Sequence, residues 1–322
     1  MKSSRGAAVS PLVKTSSLFA ALVVVSSVAG CTRLGLLPNG PGRTLARDGR
    51  HLAPGDPAGF GPSDVVAQGF DIPHAFPVVV YRPANIQAPA PAVVFLPGRV
   101  APEDQYESYA RALASRGFVV AVRGWYDLFR TDQQLAHDAT VLYDWLVGTH
   151  MVDPRRVGVA GHSMGAKDAI WAAVDDPRFR AVVAIDPDDN GSVSVVHGRV
   201  SQLRVPLLLV GAEVAWRGSR VCAPKEFNYQ RFFEHSPPGT VELTLRNADH
   251  VQVMDEPDRF GYSICRVGTA DSFLVRTLSR RATVTFFSEH LLGTEHVELA
   301  LGDGGSVRVR PGQPPAVMQA RR

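Results

Sequence analysis

The chain has 322 residues, 45% hydrophobic and 20% charged, a balance that excludes disorder and collagen-like repeats and suits one large globular domain or two modest ones. Its 34 basic and 31 acidic side chains leave a formal net charge of +3, too small to make nucleic acid an expected partner. Three cysteines are too few for the disulfide framework of a small secreted domain, and they lack the paired short spacings of a zinc site.

Residues 1–30 carry Lys2, Arg5 and Lys14 and no acid, followed by the apolar stretch Leu18 to Ala29. That stretch is shorter than the roughly 20 residues a membrane span needs, so it reads as an export signal. Its three cations account for the whole net charge of the chain. The signal ends in Val28-Ala29-Gly30-Cys31, which resembles the bacterial lipoprotein box. The resemblance implies a lipid on Cys31 and anchoring of the exported protein to the cell envelope, facing the periplasm or the exterior; a plain secretory signal with an incidental cysteine is the alternative. Residues 31–62 are rich in Gly and Pro and read as a flexible linker.

Beyond the linker, strand-like runs alternate with helical patterns, as a mostly parallel sheet flanked by helices requires. Val65 to Phe70 and Phe76 to Tyr81 predict an opening hairpin. Buried strands follow at Ala92 to Leu96 and at Phe118 to Val122, the second preceded by a helix that Gly117 ends. A helix over 131–147 aligns Leu135, Ala139, Leu142 and Leu146 on one face, with Thr131 as its N-cap. Further strands are predicted at Val157 to Ala160, Ala181 to Ile185, Pro206 to Val210 and Val241 to Leu245. Asp271 caps a last helix reaching about Leu292, and residues 294–322 read as a loosely attached C-terminal tail.

Between the strand at Val157 and the helix near Ala166 lies Gly161-His162-Ser163-Met164-Gly165. So tight a strand-to-helix turn exposes the Ser163 hydroxyl, and glycines at 161 and 165 remove side chains that would collide. The alternation and this elbow resemble the α/β-hydrolase superfamily over residues 63–293. That resemblance implies a single catalytic domain, Ser163 as nucleophile, and an oxyanion hole made by the backbone N–H groups of Met164 and of Arg99, the latter in the loop Leu96-Pro97-Gly98-Arg99.

A serine needs a general base oriented by a carboxylate. His250, in Asn247-Ala248-Asp249-His250 after the last strand, is the expected base, and His162 beside the nucleophile is expected to pack or hydrogen-bond. For the acid two carboxylates compete. In much of the superfamily it follows the strand at Leu207 to Val210, where this chain has alanine at the usual position and Glu213 two residues early. Asp186, at the carboxyl edge of the strand before, is assigned instead, since adjacent strands lie only about 4.8 Å apart. Asp188 and Asp189 read as a solvated acidic turn.

With these residues placed, the chain resembles the chlorophyllase-like branch of the superfamily. The resemblance rests on the elbow, on Ile185-Asp186-Pro187, on Cys222-Ala223-Pro224 with Asn228 and Phe232-Phe233, and on the run Asp249 to Asp255. A second resemblance is to bacterial cutinases and polyester hydrolases, which share Gly-His-Ser-Met-Gly and a Pro-Gly oxyanion loop; where they carry an aromatic and a tryptophan, this chain has Arg99 and Asp188. In an exported protein the remaining Cys222 and Cys265 are expected to pair as a disulfide. The implied activity is hydrolysis of an apolar, small or lipid-like carboxylic ester by a Ser163–His250–Asp186 triad, with no cofactor or metal. A cutinase, polyester hydrolase or lipase-type esterase is the nearer alternative. A non-catalytic binding lipoprotein on the same scaffold is the more distant one.

Overall fold

A computed structural model describes residues 52–313, apart from 54, 73–74, 125–129, 260 and 295–300. The export signal and Cys31 lie outside the described residues. Among those described, no helix is long and apolar enough to cross a membrane.

Nine strands form one mixed sheet in the order β1-β2-β4-β3-β5-β6-β7-β8-β9. The strands are β1 (Val65–Asp71), β2 (Pro77–Pro83), β3 (Ala90–Leu96), β4 (Val119–Arg123), β5 (Val152–His162), β6 (Val182–Ile185), β7 (Leu207–Ala212), β8 (Val241–Leu245) and β9 (Gly305–Val309). The run from β4 to β8 is parallel, whereas β1, β2 and β9 pair antiparallel at the two edges. Every residue of β3, β4, β6 and β7 is buried, which explains sequences that are apolar apart from Arg123 at the end of β4, paired with Asp138: helices cover both faces.

On one face lie α1 (Glu107–Ala114) and α5 (Ser272–Phe287); on the other lie α2 (Asp132–Gly148), α3 (Met164–Asp175) and α4 (Tyr229–His235). Thr131 closes a capping box with Gln134 at the start of α2, and Asp271 accepts from Phe273 N–H and Leu274 N–H at the start of α5. The expected helix to Leu292 is continued from α5 by a π-helical turn at Ser288–Leu292. This is the α/β-hydrolase fold, and the parallel strands all end at one edge, where such sheets bind ligands.

Two expectations at the domain ends are corrected. Residues 305–309 are part of the sheet: Arg308 Nε and Nη2 each sit 2.7 Å from the buried Glu242 carboxylate of β8, so a charged pair holds the edge strand. Its sequence, Gly-Ser-Val-Arg-Val, is exposed beyond Gly305 and therefore carries little apolar signal. At the other end, Asp56 to Gly61, expected in the linker, pack against the domain. Asp56 Oδ2 lies 2.7 Å from Arg281, Arg116 donates to the carbonyls of Asp56 and Gly59, and Ala58 is fully buried.

Candidate active site

The elbow between β5 and α3 holds Ser163 at φ 57°, ψ −127°, a conformation that non-glycine residues rarely adopt and that marks a strained, functional turn. The flanking glycines are required by packing. A Cβ on Gly161 would sit 2.2 Å from the Gly165 carbonyl oxygen, and one on Gly165 would sit 2.2 Å from that of Pro97. The helix therefore presses directly against β5 and the end of β3, and the Ser163 side chain is left facing the sheet's carboxyl edge.

The other expected residues arrive from adjacent strand ends. Asp186 follows β6 at φ 38° and His250 lies on the loop after β8. His250 Nδ1–H donates to Asp186 Oδ2 at 2.6 Å, and its Nε2 lies 2.9 Å from Ser163 Oγ. The second oxygen of Asp186 accepts the Ala212 N–H at 2.8 Å, so the end of β7 supplies a backbone donor to the acid. Burial disfavours the charged imidazolium. The hydrogen bond and charge of Asp186, with Asp188 and Asp249 adding to it, outweigh that and hold His250 above the ordinary histidine range. Such a chain can draw the proton from a serine hydroxyl and stabilise the resulting positive ring.

Glu213 does not reach the histidine. Its carboxylate accepts the Asn247 N–H at 2.7 Å and so fixes the turn that leads into the His250 loop. The expectation of a solvated turn at 188–189 is corrected: both aspartates are buried. Asp189 accepts the Val195 N–H at 2.7 Å and Asp188 the Asn190 N–H at 3.0 Å, because the loop after β6 folds inward and needs internal acceptors for its own amides.

His162 hydrogen-bonds, as expected, and does so within a chain whose other members the sequence does not mark. Tyr106, in a 3-10 turn before α1, accepts the Gly98 N–H at 3.0 Å and lies 2.8 Å from His162 Nδ1. His162 Nε2 lies 3.0 Å from the His250 carbonyl oxygen. Burial and the nearby His250 push His162 well below the usual histidine range, so it is neutral. Its partners then fix the tautomer: Nε2–H donates to the carbonyl and Nδ1 accepts from the Tyr106 hydroxyl. One continuous path thus links the loop after β3 to the backbone of His250.

That loop is tied down from its other side as well. Arg99 Nη2 lies 3.1 Å from Asp132 in the first turn of α2, and the fully buried Lys167 reaches the same carboxylate at 2.9 Å. Arg99 and Met164 both line the cavity above Ser163, where their backbone amides are expected to receive an oxyanion.

The cavity has a volume of about 270 Å³, and apart from the groups at its floor its wall is largely aliphatic and aromatic, with Ala101, Val251, Met254 and Tyr262 among the lining residues. Its mouth carries Val100, Val221 and Ile264, exposed by 58%, 58% and 55%. The expected disulfide is present: Cys222 and Cys265 are bonded with Cα atoms 5.6 Å apart, joining two loops of this mouth.

Comparison with known proteins agrees with the geometry. "Chlorophyllase type 0" of Chenopodium album is 20% identical over 217 residues, covering 58% of this chain and 61% of that protein. "Lipase 1" of Moraxella sp. (strain TA144) is 26% identical over 164 residues, 49% of this chain and 47% of the relative. "Bis(hydroxyethyl) terephthalate hydrolase" of Streptomyces coelicolor is 28% identical over 165 residues, 49% and 50%. The chain thus spans about half to three-fifths of the length of these curated relatives. A family profile described as PET hydrolase-like matches residues 58–255, a stretch that contains β1 through β8 and Ser163, Asp186 and His250. On that match, which takes in well over half of its residues, the chain belongs to the PET hydrolase-like family.

Proposed function

We propose that the protein hydrolyses carboxylic esters through an acyl-enzyme intermediate. The observation that carries this reading is the unbroken chain Ser163 Oγ, His250 Nε2, His250 Nδ1, Asp186 Oδ2, with spacings of 2.9 and 2.6 Å, at the floor of an apolar cavity. In it, Ser163 Oγ attacks the ester carbonyl carbon while His250 Nε2 takes the hydroxyl proton. Asp186 holds the ring and stabilises its positive charge, and the Met164 and Arg99 amides receive the oxyanion. The tetrahedral intermediate collapses as His250 returns the proton to the departing alcohol. Water, activated by the same imidazole, then releases the acid and regenerates Ser163.

The apolar wall favours an ester with hydrophobic substituents near the carbonyl. The relatives named for chlorophyllase, lipase and terephthalate ester hydrolysis support the same class. Short p-nitrophenyl esters should be cleaved by the wild type, and Ser163→Ala should reduce kcat by at least about 10⁴-fold and abolish labelling by a fluorophosphonate. Equal rates for the two proteins would overturn the proposal. Since His250 must be neutral to accept a proton and is held above the ordinary value of about 6.5, activity should fall on acidification through a midpoint above that value.

Export with lipid attachment at Cys31 is a separate proposal, supported by the lipoprotein-like run Val28 to Cys31. Mass spectrometry of the envelope-associated protein should find an acylated Cys31 at its N-terminus; an unmodified, soluble form would refute it.

A further inference from the structure

The segment Trp216 to Glu226 holds three cations, Arg217, Arg220 and Lys225, against one acid, the exposed Glu226. It is exposed at Trp216, Arg217, Arg220, Val221 and Lys225, and it is folded into one surface with the cavity mouth. The Lys225 ammonium lies 3.9 Å from the Trp216 ring centroid, with the Arg217 guanidinium 5.4 Å away. Ser219 N–H donates to the Ile264 carbonyl, and the disulfide ties Cys222 to Cys265. Exposed apolar side chains at the rim thus stand beside an indole flanked by positive charge, around the opening above Ser163.

We propose that this rim is a docking surface for an anionic lipid layer. Cations beside an interfacial tryptophan suit the headgroup region, while the aliphatic rim suits the acyl boundary just beneath it. Docked in this way, the cavity opens directly onto the lipid phase, where an apolar ester is concentrated. A second copy of the chain is a poorer occupant, because a two-fold contact centred on this patch would set its cations against those of the other copy. The docking does not require turnover, so it can fail or succeed independently of the hydrolase reading.

The test uses the full chain with vesicles of phosphatidylcholine, alone or mixed with phosphatidylglycerol. Co-sedimentation at low salt should favour the anionic vesicles by about tenfold or more, and the combined variant Arg217→Glu, Arg220→Glu, Lys225→Glu should bring that ratio close to one. Acyl-chain-brominated lipid should quench a component of the emission that is missing in Trp216→Phe. Retention of the anionic preference by the charge variant, or equal quenching of wild type and Trp216→Phe, would overturn the proposal. Self-association of the wild type that the same substitutions abolish would overturn it in favour of a second copy. Turnover of a soluble p-nitrophenyl ester, expected to change less than about twofold in either variant, reports on folding in the same samples. Its absence in the wild type would count against the hydrolase reading alone.

Discussion

The floor and the rim of the cavity are built on different principles. At the floor, Ser163, Asp186, His250, His162 and Tyr106 are all buried, and each is held by hydrogen bonds from a strand end or from the turn before α1. At the rim, Val100, Val221 and Ile264 are more than half exposed, and the segments that carry Val221 and Ile264 are braced by a covalent link between Cys222 and Cys265. Chemistry that tolerates little displacement is placed where the sheet fixes the backbone. Contacts that select a substrate are placed where side chains can vary without disturbing it.

The contrast can be broken first at the acid. Asp186→Asn should lower kcat by about 10⁴-fold, because the amide no longer supports the imidazolium and can favour the wrong tautomer. Glu213→Gln should leave kcat within about threefold, since that side chain serves only the Asn247 amide. A reversal of the two in steady-state assays would relocate the acid to the end of β7. A smaller effect is expected one step away from the reacting atoms. Tyr106→Phe keeps the ring packed on Phe95, with centroids 4.8 Å apart, but leaves the Gly98 amide and His162 Nδ1 without the hydroxyl. It should reduce kcat about tenfold with KM little changed, because the oxyanion loop and the His250 backbone lose their common anchor. The smallest effect belongs to the rim: Ile264→Ser should raise KM for a long-chain ester by about threefold to tenfold and leave kcat and short-ester turnover nearly unchanged. A comparable fall in kcat there would erase the distinction between floor and rim.

The legibility of the site follows the same division. Ser163 and His250 could be placed from the sequence because each sits in a local run whose position relative to a strand end is fixed by the fold. Asp186 could be placed because β6 is short and apolar and the carboxylate follows it directly at its carboxyl edge. The burial of Asp188 and Asp189 could not, since three acids in four residues look like a solvated turn until the partners of their neighbouring amides are known. Tyr106 carries no local signal: its role depends on Gly98, His162 and Met254, which are remote from one another in the chain. The strand at 305–309 escaped for a related reason. It is held by Arg308 and Glu242 across the sheet edge rather than by an apolar run of its own.

The sequence by itself determined the order of β1 to β8 and of the helices other than α4, the elbow, the expected base and acid, and the availability of Cys222 and Cys265 as a pair, because periodic burial and tight turns are local demands on residue type. The tertiary structure alone decided that Glu213 serves a turn while Asp186 meets the histidine. It also decided that His162 is a neutral bridge rather than a spare base, and that three cations and an indole stand beside an apolar cavity mouth. Those outcomes depend on distances between side chains far apart in the chain, and only the packed sheet sets such distances.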